Sequence, residues 1–423
     1  MLVTEETERF RSLGNRVAWL FVPYVALGQA AQAAFPIPGL TAFTFEFFLL
    51  LATAILTSPW WVRRWRDLGP TALVVFGAFA VILLYAAISL LVHPPPHIYF
   101  HDVDVSRGFV AMPMGVALFA MLSGAGFILA AERHLRLRVL ATAGAASLVV
   151  AFVGWPFQSA YRGYARLATG QGGAAIIHVV FLLIAAFGLA QFLRGQRPRL
   201  SLAMTVLSLV AIAATQSRGA ILNVAAWIGL MVLGWLITKP RELKRLWPLG
   251  AGLLAAVVAL PFIPGAARLL DLFDPKRAEN LQTALNIWND DPSTMFFGAG
   301  PGQVWPWYAY ESGQYAMPEG LYYEMAHTPH GDLLLTPHST PLALLVELGL
   351  PGALLGLAMG VALVVGWWRS RTSLPRLVVA SAVLACLVAF VVDTYLIRNF
   401  GISLWWWAAI AVVSTWQQHA DPD

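Results

Sequence analysis

Long uncharged apolar runs recur from one end of this chain to the other, and they constrain its fold more than any other feature. Each run is long enough to cross a hydrocarbon core of roughly 30 Å. Of 423 residues, 59% are hydrophobic and only 12% charged, far too few charges to cover a soluble globular surface. In lipid every backbone N–H and C=O must be satisfied internally, which leaves helices or a closed barrel. The runs are continuous rather than alternating, so they are helices.

Spans are expected near 17–35, 39–58, 70–92, 108–130, 139–157, 173–193, 200–215, 220–238, 246–263, 339–367, 377–396 and 402–416. The expected fold is an all-α integral membrane protein of about twelve transmembrane helices with one large loop containing short helices. It divides into residues 1–263 (helices one to nine), the loop 264–337 and residues 338–423 (helices ten to twelve). The N-terminal MLVTEETERFRSLGNR is mixed in charge and lacks a cleavable-signal pattern, so the first apolar run is expected to stay as helix one. The single cysteine, Cys386, lies in an apolar run, which excludes an intrachain disulfide and a cysteine-rich zinc site. The net charge of +5 does not mark a nucleic-acid binder, because the basic residues lie in short clusters between spans.

Those clusters orient the chain. With the N-terminus in the cytoplasm, nineteen of the 27 Lys and Arg fall on the cytoplasmic side, as the positive-inside rule requires. Both termini are then cytoplasmic and the 264–337 loop is periplasmic. Trp60, Trp61, Trp65, Trp367 and Trp368 sit at cytoplasmic ends as interfacial aromatics. The eight outside residues are Arg107, Arg162, Arg166, Arg218, Arg268, Lys276, Arg277 and Arg398. Snorkelling to the interface accounts for Arg107 and Arg398. It accounts less well for Arg218, which sits in a very tight hairpin.

Four constellations stand out. Gln216-Ser217-Arg218-Gly219-Ala220 is the whole connection between two spans, and its arginine fork would lie at the depth of a lipid diphosphate; alone, it reads as a snorkelling arginine. Asp274 followed by Pro275 can cap a helix in which Arg277 shares an apolar face with Leu281; an amphipathic helix with a basic edge is an equal reading. Phe297-Gly298-Ala299-Gly300-Pro301-Gly302 lacks the strand–helix setting of a dinucleotide site and reads as a tight turn beside a ligand or another backbone. Last, His327 and His330 precede His338-Ser339-Thr340-Pro341, which runs into a span carrying Glu347 and a stripe of Gly352, Gly356 and Gly360 suited to close helix packing. The three histidines match no sharp zinc spacing. The 264–337 loop holds nine acidic residues against three basic ones, so it is not a general docking surface for an anion.

These motifs resemble the O-antigen ligase and polymerase superfamily, in the Ser217-Arg218-Gly219 hairpin, the FGAGPG turn and the HSTPLALLVELGLPG segment starting at His338. Arg277 is similar to the basic residue such proteins place upstream of the glycine turn. Many members carry Asn after the histidine, where this chain has Ser339. The resemblance implies a GT-C-like membrane glycosyltransferase at the periplasmic face of a bacterial inner membrane. Its donor would be an undecaprenyl-diphosphate-linked glycan and its acceptor, in the ligases, the lipid A–core oligosaccharide. His338 would be the catalytic base. Arg218, Arg277 and Gln216 would bind the donor diphosphate. Arg162, Arg166, His330, Glu347 and Gly300 would support the site or bind acceptor. No metal or cofactor is expected, and direct displacement would invert the anomeric centre. A polymerase of the same superfamily is one alternative. A twelve-helix transporter is another, with Glu46 and Glu347 in its favour and the outside clustering of polar residues against it. A protein acceptor is not expected, since no extra outside domain follows the last span.

Overall fold

The computed structural model describes residues 2–34, 42–92, 98–100, 103–105, 108–163, 165–238, 274–305, 326–334 and 336–416, and every structural statement below concerns these. The helices among them are α1 (Leu2–Trp19), α2 (Phe21–Ala34), α3 (Ala42–Arg64), α4 (Pro70–Val92), α5 (Gly108–Ala130), α6 (Arg133–Arg162), α7 (His178–Leu193), α8 (Pro198–Ala214), α9 (Arg218–Thr238), α10 (Pro275–Trp288), α11 (Pro292–Phe297), α12 (Thr340–Ser370), α13 (Leu374–Val392) and α14 (Phe400–Ser414). Two small antiparallel ribbons pair β1 (Ile98–Phe100) with β2 (Val103–Val105) and β3 (Ala326–Thr328) with β4 (Gly331–Leu333). Six helices among the described residues are long and apolar enough to cross a membrane, and α7, α8 and α14 are shorter apolar helices. The chain is thus a helical multi-pass membrane protein. The expected span 246–263 lies outside the described residues.

Two helices form the centre. Along α14 every residue from Phe400 to Val412 is buried, and α7 is buried almost throughout. A helix apolar on all sides must be surrounded by protein. Trp405, Trp406 and Trp407 supply most of the bulk: Phe21 packs edge-on against Trp405 at 5.2 Å, and Phe79 lies 4.9 Å from Trp407. Trp406 donates its Nε1–H to the Val383 carbonyl of α13.

The structure corrects several expectations. The first apolar run is not one helix: α1 ends at Trp19, and Pro23 can offer no N–H to the Trp19 carbonyl. Phe10 of α1 stacks on Trp60 at 5.2 Å with the Arg63 guanidinium 4.1 Å over its ring, so Trp60 is covered rather than interfacial. Trp367 is buried too, bonded to Ser381 Oγ at 3.0 Å. The expected span 377–396 overruns, since α13 stops at Val392 with Asp393 as its C-cap. The glycine stripe is not a helix–helix seam. Gly352 and Gly356 face Leu344 of their own segment, and nothing lies within 4 Å of a methyl at Gly360.

The reason is a break in α12. Gly349 adopts φ +63°, and Pro351 has no N–H for the carbonyl of Glu347. The glycine turn fills that vacancy: Ala299 N–H donates to the Val346 carbonyl at 2.9 Å and Gly300 N–H to the Glu347 carbonyl at 3.0 Å. Gly302 N–H donates to Glu347 Oε1 at 3.1 Å. The turn therefore lies against another backbone, clamping the loop to the span. A Cβ at Gly298, where φ is +84°, would collide with the Glu347 carbonyl.

Gly298→Ala should accordingly lower thermal stability in detergent by about 2 kcal/mol or more, combining backbone strain with overpacking. Gly77→Ala is the control, because nothing lies within 4 Å of its new methyl. A Gly298→Ala protein that melts with the parent would contradict the clamp.

Candidate active site

The end of α13 gathers the charged residues. Val392 offers its carbonyl to Arg277 Nη1 at 2.8 Å, and its side chain would lie 3.2 Å from a Cβ on Gly219. The next residue, Asp393, points Oδ1 toward His338 Nδ1 at 3.9 Å and accepts the Thr394 N–H at 2.7 Å. Thr340 Oγ1 donates to the Asp393 and Tyr395 carbonyls and receives the Tyr395 N–H at 2.8 Å. One helix end therefore joins the first turns of α9, α10 and α12.

Each partner has a local reason for its place. Asp274 caps α10 by accepting the Arg277 N–H, with Pro275 at the first helical position, as the sequence indicates. Ala284 faces inward with Leu285 and Trp288, but Leu281 does not. Leu281 is exposed, while Asn280, Thr283 and Ala284 are buried, and Arg277 shares the side of Asn280 and Ala284. The Arg277 Nε lies 3.6 Å from Asp274 Oδ2. His338 precedes Ser339, whose hydroxyl caps α12 by accepting the Leu342 N–H. His338 itself has φ +50°, a left-handed conformation uncommon outside glycine.

Asn280 fixes the chain leading to His338. Its Nδ2 donates to the Pro337 carbonyl at 3.2 Å, while its Oδ1 accepts from Leu334 N–H at 2.9 Å and Trp305 Nε1 at 3.3 Å. Sequence reasoning passed over this residue, as it did Asp393, which it placed inside a span. It also treated Arg398 as a snorkelling arginine. Arg398 is only 9% exposed, within the α13–α14 connection, and its charge acts on His338. The signal was present: Asp393, Arg398 and Asn399 interrupt two apolar runs. His178 was also missed. It starts α7, is buried and touches the position of Gly219.

The remaining expected residues separate into groups. Ser217 anchors the hairpin by donating to the Ala175 carbonyl at 3.1 Å, while Gln216 is exposed in a left-handed conformation. Arg166 Nε caps the end of α8 through the Thr215 carbonyl at 2.8 Å. Arg162 ends α6, and its side chain lies outside the described residues. Gly300 and Glu347 belong to the clamp. His330 is at the other end of α10, 3.9 Å from Asp290 and with its carbonyl bonded to Asn286. Nine residues of helix from Arg277 to Asn286 amount to about 14 Å. The side chain of His327 is outside the described residues. Among those described, no three His, Cys, Asp or Glu group closely enough to hold a metal.

Electrostatics at His338 favour the neutral ring. Burial pushes its pKa down most; Asp393 opposes, and Arg277 and Arg398 add to the depression, which brings it to about 4. Its Nδ1 faces the Asp393 carboxylate at 3.9 Å, longer than a hydrogen bond. The first turns of α9, α10 and α12 meet at the end of α13, and in α10 and α12 a first-turn amide is taken by the capping side chain of Asp274 or Ser339.

Fold and site together define a multi-pass membrane protein with an arginine-rich, histidine-bearing centre at one end of its helices. A family model described as O-antigen ligase matches residues 203–357. The matched segment includes Arg218, Arg277, the glycine turn and His338 and stops short of Asp393 and Arg398. No curated protein matches the chain.

Asn280→Ala should cost about 2–3 kcal/mol in thermal unfolding, since it orphans three buried groups. Asn286→Ala, exposed and bonded to one carbonyl, should cost less than about 1 kcal/mol. Equal melting of the two variants would remove Asn280 as the support of the His338 segment.

Proposed function

We propose that this protein is an O-antigen ligase, a membrane glycosyltransferase that moves a glycan from undecaprenyl diphosphate to the lipid A–core oligosaccharide. The observation that carries the reading is the meeting of His338, Asp393, Arg277 and the Arg218 hairpin at the end of α13. In the proposed reaction Nε2 of His338 takes the proton of an acceptor hydroxyl as its oxygen attacks the anomeric carbon. The bond from that carbon to the phosphate oxygen breaks, and the diphosphate leaves on the opposite face with inversion. Arg218 and Arg277 stabilise the charge on the leaving group. Asp393 holds His338 in the tautomer with a free Nε2; the 3.9 Å separation would shorten with substrate in place.

The orientation goes with this reading. The cationic clusters between spans support a site end in the periplasm and both termini in the cytoplasm of a bacterial inner membrane. A polymerase would use the same centre with a second lipid-linked glycan as acceptor. The lipopolysaccharide of a deletion strain separates the two: unmodified core with accumulated lipid-linked polymer means ligase, and core bearing single repeats means polymerase.

In an assay with purified protein, His338→Ala should lower transfer by about 10²–10⁴-fold. His330→Ala should be mild. Arg218→Lys and Arg277→Lys should each lose most activity, because a point charge replaces a planar fork. Excess chelator should leave the rate unchanged. The rate should stay level through neutral pH and fall as pH drops toward about 4, where His338 becomes protonated. A rate that rises on acidification would mean that His338 acts as a cation on the diphosphate instead.

A further inference from the structure

At the opposite end of the same helices lies a feature that the transfer reaction does not use. A cleft of about 100 Å³ opens where the start of α4 meets the ends of α12 and α14 and the start of α13. Arg369 and Arg376 line it, with Thr71 and Ser414. It continues into a groove of about 550 Å³ between α4 and α12, walled by Val74, Leu354, Leu357, Val361 and Val365. The two share Pro70, Thr71 and Arg369, so they form one continuous surface.

We propose that this surface binds one anionic membrane phospholipid, its phosphate between Arg369 and Arg376 and one acyl chain along the α4–α12 groove. Charge selects the ligand. Two guanidinium groups line the cleft, and no residue lining the cleft or the groove is acidic. Nearby Asp67 is engaged by Arg133 at 2.9 Å and Arg136 at 3.3 Å, and Arg371 lies over the Trp368 ring at 3.7 Å. Arg376 is held in place by its Nε bond to the Val413 carbonyl at 3.1 Å. The first turn of α4 adds the Thr71 hydroxyl and N–H groups that lack an intrahelical partner. Gly366 lets α4 approach α12 there, since a methyl on it would lie 3.1 Å from Thr71 Cγ2.

Length selects a lipid over a free anion. From Arg369 back to Leu354 the groove follows fifteen residues of helix, about 22 Å. That reaches from the interface past the midplane of a core roughly 30 Å thick. Leu354, Leu357 and Val361 are all well exposed on that face. Basic pockets between membrane helices are a recurrent setting for anionic lipid headgroups.

Native mass spectrometry of the full chain, titrated with phosphatidylglycerol, phosphatidylcholine of the same acyl chains and inorganic phosphate, tests this. One phosphatidylglycerol should bind about thirtyfold more tightly than phosphatidylcholine, from two arginine contacts. Arg369→Gln with Arg376→Gln should remove the preference; glutamine keeps a donor for the Val413 carbonyl. Arg369→Gln alone should remove part of it, which keeps the test valid if the double variant unfolds. Val361→Trp, which fills the groove, should weaken phosphatidylglycerol binding. Equal binding of the two lipids, or an undiminished preference in the arginine variants, would overturn the proposal. So would full displacement of the lipid by equimolar inorganic phosphate together with no effect of Val361→Trp, since that describes a free-anion site.

Discussion

Everything at the site depends on where α13 stops. Had the helix continued, the Val392 carbonyl would be closed within it and unavailable to Arg277. By ending there, α13 leaves one carbonyl for Arg277 and one carboxylate facing His338. The connection that follows is locked rather than loose. Tyr395 N–H bonds Thr340, Leu396 N–H bonds Ser403 Oγ at 2.9 Å, and Asn399 Nδ2 bonds the Thr394 carbonyl at 2.6 Å. Leu396, Asn399 and His338 all adopt positive φ. Such conformations persist only where surrounding contacts over-determine them, and here those contacts are on both sides of the charged centre.

A second constraint sets the loop against the membrane. Pro351 and Gly349 break α12 about three turns after His338, and the freed carbonyls are bonded by the amides of the glycine turn. The break would otherwise leave polar backbone unsatisfied at membrane depth, which is costly. The same contact fixes residues 298–302, then Trp305, and through Trp305 the side chain of Asn280. Thus the buried carboxylate of Glu347 serves the scaffold, several links from His338. A cost inside the span becomes a means of placing the loop.

The helical architecture was legible because its signal is the strongest in sequence, a long apolar run. Most described helices begin and end within a few residues of expectation, and Asp274 reads directly as a cap. The arginine hairpin stood out because it is the whole polar connection between two apolar runs, and His338 because it stands where the loop re-enters one. What failed, failed for a physical reason. Asp393 was counted as span because a carboxylate at a helix end and one inside a helix have the same neighbours in sequence. Leu281 was assigned inward by hydrophobicity, whereas Asn280 goes inside because it satisfies three partners that no apolar side chain could. The glycines of α12 were read as a seam, although a break at Gly349 turns them back on their own chain. Distance in sequence hid the rest: Gly219 and Val392 are 173 positions apart and meet only in the fold.

In the proposed mechanism the end of α13 makes His338 a base through Asp393. The most direct measurement is the pH dependence of glycan transfer by Asp393→Asn beside the parent protein. Asp393 raises the His338 pKa against burial and two arginines. Its neutralisation should therefore lower the plateau rate and move the acid limb to still lower pH, with no change in thermal stability large enough to account for the loss. An unchanged plateau with an unchanged acid limb would show that the carboxylate does not act on His338, and the account would fail.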